Sequence, residues 1–511
     1  MMLPRPFATL LIALLPLGFL AAMVAAPLLA LADYQQGATV WGVLADEYMQ
    51  WRMLWTVWQA AATCAAVLLL GVPVAWALAR FEFRGRGLVL RLLMLPFVMP
   101  TLVAGMGVLA LFGAHGLLWA GWQDTPFLLL YGNVFFNLPV LVRAAYQGLL
   151  QVPAGRLRAA QTLGAGAWRR FLHIELPVLK PWLAGGLCLV FLYCFSGFGL
   201  ALLLGGSRYS TVEVEIYQLI AYELDMAQAS VLVWLSLGIT ALAGGLYAWI
   251  SRRSAANPVH ALPPALPSGM MQKLLLAGAL VILALCCALP LAAIVWQAAN
   301  AGASWRVLAE AETLAAAANT LRFTFSAMLP ALLLGILHAW LARRLAWVRG
   351  VTFLPFMVSP VCVAFGVLLL YPGWTASLPL LIATYALLAY PFITKDLLAA
   401  WDALPVHYQT AARSMGANPF QTALYVTAPL LLPSLRRGLT LAAATCIGEF
   451  AATLFLSRPE WQTLTTLVYR YLGTAGADNH DRAMVVTLLL MTLALLVFLL
   501  LDAAERKQKA V

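Results

Sequence analysis

The sequence predicts an all-α, polytopic membrane protein of about 12 transmembrane helices in two parallel six-helix halves. Three observations carry this. Hydrophobic residues make up 63% of the 511 positions and charged residues only 10%, the apolar residues gather into long unbroken runs, and the second half of the chain repeats landmarks of the first. A composition this apolar cannot be hidden in one soluble core. Crossing a ~30 Å hydrocarbon layer takes about 20 residues of helix, and continuous runs favour helices over a barrel, whose mark is a ten-residue alternation.

Taken in order, the runs lie at 7–32, 54–79, 92–112, 126–146, 184–206, 229–250, 272–297, 319–342, 351–371, 376–394, 437–457 and 483–501. The formal charge of +11 is a topology signal, since roughly 24 of the 31 basic residues fall in alternate loops. The positive-inside rule makes those loops cytoplasmic and puts both termini inside. The opposite loops collect acids, among them Asp46, Glu47, Glu213, Glu215, Glu223, Asp225, Glu310 and Glu312. The first run, preceded by Arg5, reads as an uncleaved span, because it is too long for an ordinary signal core and its removal would break the two-half symmetry. All seven cysteines fall inside runs, where they act as small apolar residues, and they form no disulfide framework or zinc spacing.

The repeat is strongest between runs 4 and 5 and between runs 10 and 11. At one fixed offset Pro153 pairs with Pro405, Gly164 with Gly416, Pro177 with Pro429 and Pro181 with Pro433. The same offset pairs Pro139 with Pro391, Phe198 with Phe450 and Tyr217 with Tyr469. An even number of spans separates equivalent positions, so the halves have one orientation and a pseudo-two-fold axis along the membrane normal is expected. The halves are 1–251 and 271–511, joined by a cytoplasmic linker at 252–270 rich in Pro, Ala and Ser.

Each long loop, about 153–181 and 405–433, reads as helix, glycine turn, helix. In the first, Leu157, Ala160, Leu163, Ala167 or Trp168, Phe171 and Ile174 recur at helical spacing around Gly164-Ala165-Gly166. In the second, Asn418 followed by Pro419 is a helix start. An apolar face with flanking basic residues packs on the protein's own membrane domain, lies on lipid headgroups, or receives a partner.

These loops resemble the signature loop of bacterial ABC importer permeases, whose pattern runs Glu-Ala-Ala, three residues, Gly, nine residues, Ile, one residue, Leu-Pro. The first copy supplies Ala159, Ala160, Gly164, Ile174, Leu176 and Pro177; the second supplies Ala411, Ala412, Gly416, Val426, Ala428 and Pro429. The leading Glu is replaced by Arg158 and Thr410, which puts in doubt any contact the family makes through it. The resemblance implies the type I ABC importer permease fold in the bacterial inner membrane. It also implies two copies of a cytoplasmic ABC ATPase on the two coupling loops, a periplasmic substrate-binding protein outside, and ATP with Mg on the ATPase. The phrases VFFNLPVLVR, FSGFGLALLLGG and TVEVEIYQ are more similar to the thiamine branch than to the ferric-iron branch. No lysine follows a glycine, so the chain carries no phosphate-cradling loop and is expected to be a transport subunit with no catalytic residues, cofactor or metal of its own.

Two residues inside the runs are translocation-pathway candidates. Glu449 stands near the middle of run 11, where a carboxylate is costly; it contacts a cationic substrate or serves structural pairing or gating. Asn137, beside Pro139, either lines the path or makes a helix-end hydrogen bond at a kink. Trp119, Trp122 and Tyr131 could stack on an aromatic cation or form an interfacial belt. Arg169, Arg170 and His173 contact a partner or follow the positive-inside bias. A 12-helix secondary transporter is the competing class, but such proteins place their long cytoplasmic loop between spans 6 and 7. A nucleic-acid role is excluded by the charge distribution, and an enzyme by the lack of any nucleophile or metal arrangement around the six histidines.

Overall fold

The structure is a computed structural model that describes residues 15–33, 38–122, 124–251, 261–352, 354–375, 377–456 and 458–509. Among these the secondary structure is helical, with two isolated β-bridges and no strand. Within hydrocarbon this is required, because a helix satisfies every backbone N–H and C=O from its own segment. Among the described residues ten helices are long and apolar enough to cross a membrane: Leu15–Asp33, Glu47–Arg80, Pro126–Leu150, Ala167–Phe195, Met226–Ile250, Met270–Ala299, Ala311–Arg344, Leu378–Asp402, Pro419–Ile447 and Asp478–Leu499.

Twelve runs were expected, and the difference has a local cause. Run 3 is a broken element, with Arg86–Val98 and Thr101–Phe112 bent by 100° at Met99-Pro100. Pro100 has no N–H to continue the first helix and forces the residue before it out of the helical region, so Met99 is extended at ψ 144°. Run 9 breaks the same way before Pro360, where Ser359 caps the Pro360–Leu370 helix by accepting the Cys362 N–H at 3.2 Å. Eleven residues are too few to cross. Runs 5 and 11 also shift. Their helices begin earlier, at Ala167 and Pro419, and stop at Phe195 and Ile447. Short helices Gly199–Leu204 and Ala451–Leu456 follow each break.

The chain packs as two compact units, 35–304 and 1–34 with 305–511. Repeat halves and packing units are thus different divisions: the leading helix of each half is grouped with the other. Residues 1–14 and 252–260, which include Arg5 and the first part of the expected linker, lie outside the described residues.

In unit 35–304, the Glu47–Arg80, Pro126–Leu150 and Leu176–Phe195 helices pack on one another, and their buried face includes Val67, Val74, Leu78, Leu138, Leu141 and Val190. The Leu289–Ala299 helix crosses Thr101–Phe112 at Gly107, where a Cβ would lie 2.9 Å from the Pro290 carbonyl oxygen. The crossing is fastened by Gln297, whose amide donates to the carbonyls of Ala110 at 3.0 Å and His115 at 2.8 Å.

In the other unit Ala311–Arg344, Leu378–Asp402 and Ala428–Ile447 form the equivalent packing. Ala26–Asp33 crosses Pro360–Leu370 at Gly366, where a Cβ would lie 2.8 Å from the Pro27 Cβ. Glycine is needed at both crossings for the same reason: a proline-bearing helix approaches backbone to backbone.

After each break the chain returns to the long helix of its unit and is tied there by one threonine. Thr56 Oγ1 accepts the Val212 N–H at 2.9 Å, and Thr320 Oγ1 accepts the Leu464 N–H at 3.0 Å. These bonds satisfy an orphan donor at the start of helices Val212–Gln218 and Leu464–Gly473.

Gly107→Val and Gly366→Val should each lower the thermal midpoint of the purified protein, at a cost of about 1–3 kcal/mol for overpacking. Gly278→Ala, where a Cβ meets open space, should leave it unchanged. Intrinsic-fluorescence melting in detergent measures all three.

Candidate coupling surface and buried polar sites

The two repeated loops have the same construction. Helices Ala154–Thr162 and Val406–Ser414 start after Pro153 and Pro405. Each ends in a left-handed glycine, Gly164 at φ +80° and Gly416 at φ +89°. Gly164 N–H donates to Gln161 O at 3.0 Å and Ala165 N–H to Ala160 O at 2.9 Å; Gly416 donates to Arg413 O at 3.0 Å and Ala417 to Ala412 O at 3.1 Å. This pair of bonds is the Schellman cap, which closes a helix by sending one residue through the left-handed region. The second of the paired alanines therefore has a definite role, because its carbonyl receives the outer bond of the turn.

A new helix starts at once, at Ala167 and at Pro419. Asn418 and Gln421 close a reciprocal capping box, with N–H to side-chain oxygen distances of 2.8 and 2.9 Å. These second helices are not separate surface pieces. They run straight into the membrane as Ala167–Phe195 and Pro419–Ile447, through π turns at Phe171–Glu175 and Thr422–Thr427. The π turns precede Pro177 and Pro429, where a regular turn would clash with a ring that lacks an N–H.

The turn decides what faces out. Leu157 is buried, but Leu163 is 87% exposed and Met415, its equivalent, 88%. Trp168 and Phe420, also equivalent, are exposed as well. Helical spacing alone puts Leu163 and Trp168 on the same face as Leu157; the reversal at Gly164 turns them outward. Of the sequence candidates, Ala159, Gly164, Pro177, Ala411, Gly416 and Pro429 are exposed, and Ala160, Ile174, Ala412 and Val426 are half-buried. Arg156, Arg158, Arg169 and Arg413 are exposed around the turns. The result is a pair of apolar tips in basic surroundings.

Glu175 is a residue whose role the sequence pattern did not disclose. It is buried in the first π turn, where its carboxylate accepts from Arg80 at 2.5 and 3.2 Å and from the Trp76 indole at 2.8 Å. This pins the second helix of the first loop to the end of Glu47–Arg80. The equivalent Thr427 instead donates to Thr422 O at 3.3 Å and accepts from the Gln409 amide at 3.4 Å. Trp340, aligned with Trp76, lies under Arg344 at 4.1 Å.

The far ends of the same two helices meet the buried polar candidates. In unit 35–304, Cys194 lies in an amide cluster: its Sγ receives the Asn137 amide at 3.3 Å and its carbonyl the Gln59 amide at 2.9 Å. Asn133 joins Gln59 at 2.7 Å, and Asn137 donates to Asn133 O at 3.0 Å. Asn137 thus belongs to an interhelical network within a helix that continues through Pro139, and ends no helix there.

In the other unit Glu449 is nine-tenths buried at the Gly448–Phe450 break, and its carboxylate accepts the Ala452 N–H at 2.8 Å, capping the Ala451–Leu456 helix. Its carbonyl accepts from Thr465 at 3.0 Å. Nearby Tyr385 and Thr453 hydroxyls share a 2.6 Å bond. Tyr131 and Trp122 fall in an aromatic cluster with Phe112 and Phe127, and the Tyr131 hydroxyl donates to Leu285 O at 2.7 Å; Trp119 is exposed beside Trp122.

Comparison with known proteins fits this geometry. The family model described as "Binding-protein-dependent transport system inner membrane component" matches twice, over residues 68–255 and 323–509. The thiamine transport system permease protein ThiP of Brucella abortus (strain 2308) is 30% identical, covering 97% of this chain and 95% of that protein. That of Escherichia coli (strain K12) is 27% identical over 89% of each. The molybdenum transport system permease protein ModB of Azotobacter vinelandii is 30% identical over 35% of this chain and 83% of its own length. The chain belongs to the binding-protein-dependent transport system inner membrane component family and carries that family's permease domain in two copies.

Proposed function

We propose that this chain is the translocation subunit of an ATP-driven importer for thiamine or a thiamine derivative. The support for the substrate is likeness along nearly the whole chain to permeases named for thiamine. The observation that supports the mechanism is that each exposed apolar tip and each buried polar site are opposite ends of one helix. Ala167–Phe195 and Pro419–Ile447 each contain 29 residues, about 43 Å of continuous helix at ~1.5 Å per residue.

In this reading a cytoplasmic ABC ATPase seats one subunit on Leu163 and Trp168 and a second on Met415 and Phe420. The Schellman turns set a rigid corner between the docking helix and the lever helix, so displacement of a tip is delivered to the break at the other end. There the short helices Gly199–Leu204 and Ala451–Leu456 can be re-aimed, because a helix break is where backbone direction changes at least cost. ATP and Mg belong to the ATPase, a periplasmic binding protein delivers the substrate, and both termini lie on the cytoplasmic side of the bacterial inner membrane. The missing Glu of the signature, replaced by Arg158 and Thr410, leaves apolar contact and the turn as the main determinants of docking.

Glu449 acts in this scheme through its cap. A carboxylate that holds the first turn of the helix after the break positions that helix. In the other unit Asn137 and Gln59 hold the end of the Leu176–Phe195 helix through Cys194.

Gly164→Val and Gly416→Val place a β-branched residue at positive φ, and each should cut ATP-driven thiamine uptake about tenfold while membrane insertion persists. Vesicle uptake with radiolabelled thiamine and immunoblotting check both. Leu163→Asp with Met415→Asp should abolish co-purification with the co-expressed ATPase, and retention of two ATPase subunits per permease would contradict the docking assignment. Glu449→Gln keeps an oxygen able to accept the Ala452 N–H and should leave uptake within about twofold; Glu449→Ala loses the cap, worth about 1 kcal/mol, and should lower it severalfold. Equal loss in both variants would mean that the negative charge itself is needed.

A further inference from the structure

Residues 261–269 read ALPPALPSG. Pro263, Pro264 and Pro267 fix φ near the extended polyproline value and carry no N–H, so the segment is stiff and loses little entropy on being held straight. The chain uses one of its few remaining donors here. Ala265 N–H donates to Arg80 O at 3.0 Å, and Ala265 O accepts the Glu82 N–H at 2.9 Å, clasping Phe81 in a parallel bridge. Four residues earlier Ala261 pairs antiparallel with Pro153, the residue that starts the Ala154–Thr162 helix.

Arg80 is therefore a node. Its carbonyl holds the connection between the halves, while its guanidinium holds Glu175 at the start of the first lever helix. The first loop is fastened on both sides, before its first helix through Ala261 and after its turn through Arg80. The connection then enters Met270–Leu283, which packs on the Glu47–Arg80 helix. Among the described residues both isolated bridges belong to this connection, and the second loop carries Thr427 where the first has Glu175.

We propose that residues 261–269 are a strap that braces the first coupling turn against the end of the Glu47–Arg80 helix. What the bracing serves rests on the transport reading above; the bracing itself does not. Joining the halves is then more than tethering, since a flexible linker of equal length would join them but hold nothing.

The test is amide hydrogen exchange on the full-length protein in nanodiscs, comparing residues 80–83 and 154–163 with the equivalent second-loop residues 406–415. Ala265→Pro deletes the donor to Arg80 O, and replacing residues 261–267 by Gly and Ser at equal length keeps the backbone groups but removes the stiffness that holds the clasp closed. Both variants should speed exchange in the first set about fivefold, the weight of one hydrogen bond, and leave the second set unchanged. Ala265→Gly keeps both bonds and should match the parent. Unchanged exchange in the Gly-Ser variant, or equal acceleration in both loops, would overturn the strap. With the ATPase co-reconstituted, thiamine carried per ATP hydrolysed should fall severalfold in the Gly-Ser variant. Because the exchange comparison needs no ATPase or substrate, a chain that fails to carry thiamine still tests the strap.

Discussion

A backbone inside hydrocarbon has no water to bond with, and the architecture of this chain follows from where it interrupts its helices and how it satisfies the groups that each interruption exposes. Among the described residues several of the interruptions have a partner supplied by a side chain or by a special turn. Ser359 covers the start of one broken run, Glu449 the helix after another, and Thr56 and Thr320 the two return segments. On the more polar side, Gly164 and Gly416 close their helices with the carbonyls of Ala160 to Gln161 and of Ala412 to Arg413. Function and stability share these positions, because a place where the helix stops is both expensive to bury and able to change direction.

The halves are alike in backbone and unlike in chemistry. Threonine ties, glycine turns, π turns and tight glycine–proline crossings recur at equivalent positions. The polar groups they surround do not: Gln59 and Asn133 in one unit stand where Phe323 and Tyr385 stand in the other, and Glu449 stands at the position that Gly197 holds in the first half. At the loops the same division appears as Glu175 with Arg80 against Thr427 with Gln409. A duplicated frame lets one chain give each copy a different role without altering the mechanics that both copies need.

Much of this was legible in the sequence because it is local. Composition and run length give the helical membrane class, the fixed offset gives the duplication, and Gly164 and Gly416 mark turns that the structure closes with left-handed residues. The illegible parts depend on contacts or on competition between signals. Pro100 and Pro360 sit inside apolar runs long enough to cross, so hydropathy counted spans where proline chemistry breaks them. Arg169, Arg170 and His173 made Ala167–Phe195 look like a surface loop, although a helix can carry a polar end into the interface and an apolar body beyond it. Glu175 could have been suspected from a lone acid in a basic loop, but its partner Arg80 lies 95 residues away. The exchange of leading helices between units leaves no trace in either half read alone.

That exchange bears on how the molecule is made. Pro27 leaves the ribosome more than three hundred residues ahead of Gly366, the surface it finally rests on. Throughout that interval the first helix waits in the bilayer beside lipid or an insertase, and the half translated first stays short of a wall until Pro290 arrives to meet Gly107. Biogenesis of this chain consequently cannot close this crossing before Gly366 has been made, and products truncated ahead of it lack the contact.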